Sequence, residues 1–178
     1  ALFSGNRAVE SVRGDVQSLS ARVERLENPG SVIKQAVQKP AVQKPAAGAF
    51  RPAGYNLEAA YNDALALYRA RKFEAAISAF TEITTVAPSS SLADNAQYWV
   101  GESYFSMRNY EKSLQAFTRF YEFPNSNKAA DAHLKIAIIY QVMENRSAAA
   151  EELKLVVRDY PNSEAAKIAA AKLKALGQ

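Results

Sequence analysis

The sequence predicts an all-α fold built as a stacked array of helical hairpins, and three observations carry that prediction. Apolar and small residues recur three and four apart from Asn95 to Tyr104, a polar turn Ser106-Met107-Arg108-Asn109 follows, and the pattern restarts at Tyr110 and runs to Phe123. The stretch is echoed on both sides. Stepping back 37 residues takes Gly101, Tyr104, Tyr110, Ser113 and Phe117 to Ala64, Leu67, Phe73, Ala76 and Phe80; stepping forward 36 takes them to Ala137, Tyr140, Arg146, Ala149 and Leu153. Pro88, Pro124 and Pro161 keep the same beat, each followed two residues on by Ser90, Ser126 or Ser163. Self-similarity at this period means that each unit is one hairpin whose apolar face is buried only when its neighbours stack on it.

The chain opens with a different pattern. Leu2, Val9, Val12, Val16, Leu19, Val23 and Leu26 are spaced 7, 3, 4, 3, 4 and 3 apart, a heptad seam that predicts a coiled-coil oligomerisation helix over residues 1–28. Gly5 and Gly14 each cost such a helix about 1 kcal/mol relative to Ala, so it depends on partners. An amphipathic helix folded back on the repeats is the alternative, but a strict 3,4 alternation makes a narrow seam rather than a broad stripe. Valine with leucine favours two strands, and so few heptads discriminate weakly between two and three.

Asn28-Pro29-Gly30 ends that helix. Residues 29–56 are rich in Pro, Ala and Lys and contain AVQKP twice, which predicts an extended, solvated tether reaching about 3 Å per residue at full stretch. A proline-motif ligand is the functional alternative, though no aromatic anchor interrupts the repeats. Phe50 and Tyr55 are placed to begin docking on the first hairpin. Residues 57–178 then hold hairpins at about 57–88, 92–124 and 128–161, with a capping helix over 163–176. In that last helix Lys167, Lys172 and Lys174 are expected to face solvent while Ile168, Leu173 and Leu176 cover the open end. Ser91, with Asp94 three residues on, reads as a capping box for the central hairpin.

Composition narrows the function. Residues 1–56 carry eight Lys/Arg against four Asp/Glu, and residues 57–178 carry fourteen of each, so the net charge of +4 belongs to the N-terminal arm. The repeats offer no basic stripe with interleaved aromatics, which argues against nucleic acid. No apolar run approaches the ~20 residues of a membrane span, so no membrane insertion is expected. The chain reads as soluble, with Ala1 a mature or trimmed end. Cysteine is absent, which removes disulfides, thiolate metal sites and a lipid-modified cysteine. His133 is the one histidine, and Asp94, Asp131, Glu151 and Glu152 occupy positions where caps and solvated faces carry acids. With no phosphate loop, metal-ligand cluster or nucleophile constellation, neither catalysis nor a cofactor or metal is expected.

A small residue, Tyr, an aromatic six residues on, a small residue, an aromatic four further and a closing proline is the tetratricopeptide pattern, carried here by Gly101, Tyr104, Tyr110, Ser113, Phe117 and Pro124. Unit three departs from it with Arg146 and Leu153, which predicts looser packing of that hairpin. The order of a heptad segment ending ARVERLEN, a proline-rich linker, and repeats joined by P-x-S with AQYWVGESYF in the central helix resembles the periplasmic Tol-Pal-associated CpoB (YbgF) family. The resemblance implies a periplasmic, trimerising adaptor that binds TolA and a bifunctional penicillin-binding protein and coordinates septal wall synthesis with outer-membrane constriction in cell division. A structural tetratricopeptide scaffold of another outer-membrane assembly or secretion complex is the alternative.

In such a stack the first helices line the concave side. That places Tyr61, Leu65 and Tyr68, then Tyr98, Glu102 and Phe105, then Leu134, Ile138 and Gln141 along a partner-binding groove, with Asn95 and Asp131 at its rim. Any of the aromatics could instead fill the seam between hairpins. Trp99 corresponds to the polar Asn62 and Lys135, so its position does not demand burial; an exposed anchor and a residue part-buried against a neighbouring helix both fit. Val9, Val12, Val16, Leu19, Val23 and Leu26 are the oligomerisation residues. Deleting residues 1–28 is expected to leave a folded helical monomer, and a deletion variant that still sediments as an oligomer would show that the seam is not the assembly element.

Overall fold

The computed structural model describes residues 54–177, and the heptad seam at Val9 to Leu26 lies outside them. Those residues form α1 (Leu57–Arg69), α2 (Phe73–Val86), α3 (Ser91–Ser106), α4 (Tyr110–Thr118), a 3₁₀ turn (Arg119–Glu122), α5 (Ala129–Val142), α6 (Arg146–Asp159) and α7 (Glu164–Ala175). Among the described residues there is no strand. Successive helices pack on one another in chain order. The odd-numbered helices also touch directly, α1 on α3 and α5 on α7, whereas even-numbered helices make no comparable contact, so the odd helices lie on the inner side of the stack.

Each hairpin is closed by the same turn. Arg71, Arg108 and Glu144 sit at φ 60°, 59° and 61°, the left-handed conformation that ends a helix. The next amide returns to the helix: Lys72 N donates to Leu67 O at 3.0 Å, Asn109 N to Tyr104 O at 2.9 Å and Asn145 N to Tyr140 O at 2.9 Å. Asn109 and Asn145 then cap α4 and α6 through their side chains. At the start of α3 the cap is Ser90, which accepts from Leu92 N, and not Ser91. The capping box expected from Ser91 and Asp94 does not form, because Ser91 is already the first helical residue; Asp94 remains in the first turn, where its charge complements the helix dipole.

A small residue on the first helix faces a large one on the second in every hairpin. Ala64 and Phe80 are fully buried in one hydrophobic cluster, and Ala137 and Leu153 in another. In the middle hairpin the fit is closest. A Cβ added at Gly101 would lie 2.6 Å from the Phe117 ring, and buried Ser113 donates to Gly101 O at 2.9 Å, so side chains of α4 rest directly on the backbone of α3.

Four further expectations need correcting. Glu152 is not on a solvated face: it is 6% exposed on the inner side of α6. The third hairpin is not looser than the others. Ala149, Leu153 and Val156 are wholly buried, and exposed Arg146 stands at the helix start, outside the packed face. Ile168 does not cover the end of the stack. It is 48% exposed, and α7 packs through Ala165, Ala166 and Ala169 with Leu173 and Leu176, because alanines let the helix approach closely enough to shield Leu134 and Leu153. Lys172 also departs from the expected solvent face, donating to Gln141 on α5 at 3.1 Å.

Gly101→Ala is expected to destabilise by about 1–2 kcal/mol. Overpacking a core costs roughly 1–3 kcal/mol, and Ala recovers only about 1 kcal/mol of helix propensity. A thermal melt should show a midpoint several degrees lower, and an unchanged midpoint would mean that the Phe117 ring moves freely.

Candidate partner-binding face

Consecutive odd helices are joined by side chains that occupy one repeated position. Trp99, Lys135 and Lys172 are 36 and 37 residues apart, and each reaches back to the preceding odd helix. Trp99 Nε1 donates to Tyr61 Oη at 2.8 Å, Lys135 Nζ to Glu102 Oε2 at 2.9 Å and Lys172 Nζ to Gln141 Oε1 at 3.1 Å. A fourth link joins Tyr68 Oη and Ser106 Oγ at 3.2 Å. These bonds set the spacing of the inner helices. Trp99 is therefore half-buried in the seam between α1 and α3, its ring near those of Tyr68 (4.8 Å between centroids), Phe80 (6.4 Å) and Tyr98 (6.0 Å).

The other aromatics of this face are shared between core and surface. Tyr98 sets its ring edge-on to Phe117 at 5.3 Å, Phe105 to Tyr110 at 5.6 Å, and Tyr68 to Phe73 at 5.5 Å. All three remain half-buried, as do Tyr61, Leu65 and Ile138. Leu134 is the exception, buried in the core beneath α7. The Tyr98 phenol is held well above its ordinary pKa by burial, with the Glu102 and Asp131 carboxylates and Tyr68 adding to it.

Two lysines from α5 and its cap cross to α3. Lys128 Nζ lies 5.5 Å from the Tyr98 ring centroid and 3.8 Å from Asp131. Lys135 Nζ lies 5.2 Å from the Phe105 centroid and 2.9 Å from either oxygen of Glu102. Its hydrogen bond goes to Oε2. The ammonium thus lies against both carboxylate oxygens, whereas Asn95 Oδ1 is buried without a donor. The face thus brings together Asn95, Tyr98, Glu102, Phe105 and Asp131, with Ile138 beside them on α5; Tyr61, Leu65 and Tyr68 make the α1 side, and Trp99 sits between the two as a structural wedge.

A second polar cluster was not apparent from residue types. His133 Nδ1 and Glu152 Oε1 are 2.5 Å apart, with side chains 3% and 7% exposed, and Tyr121 donates to the other carboxylate oxygen at 2.5 Å. The His133 ring packs against Tyr121 at 4.5 Å and Tyr160 at 5.7 Å. Burial, and secondarily Glu152, pushes the Tyr121 hydroxyl up and the Tyr140 hydroxyl up to about 12. The 3₁₀ turn is what aims Tyr121 across to α6 from the end of the second hairpin. The repeat register holds the signal that reveals the cluster. His133 and Glu152 stand where the middle unit has Gln97 and Ala116 and the first has Ala60 and Ala79, so a charged pair occurs at an interior position. The middle pair is bonded too, Gln97 Nε2 donating to Ala116 O at 2.9 Å. His133 and Glu152 are enclosed, and the Tyr121 bond to Glu152 ties the second hairpin to the third.

Among the described residues, no group of three or more His, Cys, Asp or Glu is placed to hold a metal ion, and no helix is long and apolar enough to cross a membrane. Two surface depressions lie away from the inner face, one lined by Asp63, Ala66, Leu67, Ala70 and Lys72 and the other by Arg146, Ser147, Ala150, Glu151 and Leu176. Neither gathers a nucleophile with a base.

Residues 95–126 and 131–163 each match the family model of the tetratricopeptide repeat. No curated protein matches the chain. Among solved structures, the type III secretion translocator chaperone SycD of Yersinia enterocolitica is similar, with a TM-score of 0.56 and 17% identity over 67% of this chain and 88% of that one. That likeness is one of fold: both are arrays of helical hairpins.

Glu152→Ala is expected to lower stability by about 3–5 kcal/mol, because it strands the Tyr121 hydroxyl and the His133 imidazole in a buried site without their acceptor. Glu152→Gln keeps one acceptor oxygen and should lose markedly less. Equal denaturation midpoints for the two variants would mean that the cluster contributes no directed hydrogen bonding.

Proposed function

We propose that the chain is a non-enzymatic adaptor that binds a protein segment along the inner face of α1, α3 and α5. The observation that carries this reading is the row of half-buried Tyr61, Leu65, Tyr68, Tyr98, Phe105 and Ile138 on that face. Side chains that bury one edge and present the other are pre-ordered, so a partner covers apolar area without the cost of fixing them. Tetratricopeptide repeats support a protein-interaction scaffold of this kind.

The finer reading rests on the resemblance to the CpoB family. It makes the chain a periplasmic adaptor that binds TolA and a bifunctional penicillin-binding protein, and that couples septal wall synthesis to outer-membrane constriction. Residues 1–28 would join copies, as trimers by that resemblance, through Val9, Val12, Val16, Leu19, Val23 and Leu26. Clustering several faces on one stem raises the effective concentration for partners held at a membrane, and residues 29–56 set the reach. A scaffold of a secretion complex is the second reading, favoured by the shared hairpin array of the secretion chaperone SycD.

Changing Tyr98 and Phe105 together to Ala is expected to weaken capture of TolA by about tenfold or more while lowering the melting midpoint only modestly. Equal loss of binding and folding would assign both rings to the core. Full retention of TolA by a variant that remains folded would remove this face from the interaction, and failure of the unaltered chain to retain TolA would favour the secretion reading.

A further inference from the structure

The inner face already shows what chemistry it accepts. Two aromatics of α3 on this face each have a carboxylate nearby and an ammonium over the ring: Tyr98 with Asp131 and Lys128, Phe105 with Glu102 and Lys135. An aromatic face next to a carboxylate is a composite cation site, attractive through both the ring quadrupole and the charge. The two rings are seven residues apart on α3, about 10 Å along the helix. The residents are the chain's own flexible lysines, whose side chains are 32% and 25% exposed and can swing into water. Asn95 Oδ1, buried on the same helix without a hydrogen-bond donor, is an acceptor that the residents leave unsatisfied.

We propose that this face recognises an extended partner segment carrying two Lys or Arg side chains about three residues apart, which displace Lys128 and Lys135 from Tyr98/Asp131 and Phe105/Glu102. The proposal rests on the reading of this face as the binding site and adds the sign of the partner's charge. Three residues of an extended segment in the polyproline II conformation span about 9 Å and return the side chain to the same face, matching the separation of the two sites. The exchange replaces one ammonium by another, so no charge is stranded. An acidic segment fits poorly. To meet Lys135 it must approach the Glu102 carboxylate and the negative face of the Phe105 ring, and to meet Lys128 it must approach Asp131. Selectivity therefore comes from the acids and rings of the face, and the two lysines act as placeholders.

The test uses the full chain and three acetylated, amidated Ala/Pro peptides that differ only in carrying Lys, Glu or Gln at the two spaced positions, with affinities read by fluorescence anisotropy or calorimetry. The Lys peptide is expected to bind about tenfold tighter than the Glu peptide, with an advantage that shrinks as salt rises. Glu102→Gln and Asp131→Asn should each reduce its affinity severalfold, and Lys135→Met should increase it, with melts confirming that each variant is folded. Tighter binding of the Glu peptide, or Lys-peptide binding indifferent to Glu102→Gln and Asp131→Asn, overturns the cation sites. If such binding is still lost when Tyr98 and Phe105 become Ala, the face remains the docking surface and only the charge assignment fails. Binding that no change on this face alters overturns both readings, and so does the absence of any peptide binding together with TolA capture that Tyr98→Ala and Phe105→Ala leave intact.

Discussion

The array depends on how closely the two helices of a hairpin can approach, and Gly101 against Phe117 is where that approach is tightest. The Phe117 ring occupies the volume that any side chain at 101 would need, and the Ser113 hydroxyl bonds directly to the Gly101 carbonyl. Hydrophobic burial supplies the drive, but the small residue sets the distance and crossing of the helices. The neighbouring hairpins use Ala64 with Phe80 and Ala137 with Leu153, so the same packing is available at each step and the units stack in register. The inner face is a consequence of that repetition, because one helix of each pair always turns the same way.

Along that face, aromatic side chains work both as packing and as surface. Trp99 is drawn into the seam by its bond to Tyr61 and its contact with Tyr68, whereas Tyr98 and Phe105 seat one edge on the hairpin and keep the other toward the open side. The lysines above them neutralise Glu102 and Asp131 and cover the rings, so the free face is electrically quiet. Such a surface limits indiscriminate association and yields to a partner that offers equivalent groups.

Polar residues inside the array follow a different logic. His133, Glu152 and Tyr121 replace an apolar contact of the first hairpin with a bonded cluster, and in the middle hairpin Gln97 takes a related place, bonded both to Ala116 O and to Arg119. The Gln97 and His133–Glu152 bonds join the two helices of one hairpin, and Tyr121 carries the bonding across to the next, which adds directional register to an interface whose burial alone would tolerate sliding. Residue type alone assigned Glu152 to a solvated face, since charged residues ordinarily lie there; its equivalence to the buried Ala116 in the repeat register is the signal that residue type passes over.

Periodicity and spacing alone determine the fold class, the pairing of helices into hairpins and the residues at their closest contacts, because these follow from local propensity and from a register that repeats every 36 or 37 residues. The fates of Trp99, Ile168 and Glu152 were decided only in the tertiary structure. Each depends on what the adjacent element supplies: Tyr61 from the preceding hairpin draws Trp99 inward, the alanine face of α7 leaves Ile168 outside, and Tyr121 and His133 make a buried Glu152 tolerable. Likewise, Tyr98 and Phe105 could be placed on the inner helix from their spacing, but the lysines above their rings arrive from an element some thirty residues away. A chain encodes its own periodicity locally, whereas the environment of a side chain is a sum over neighbours that only folding brings together.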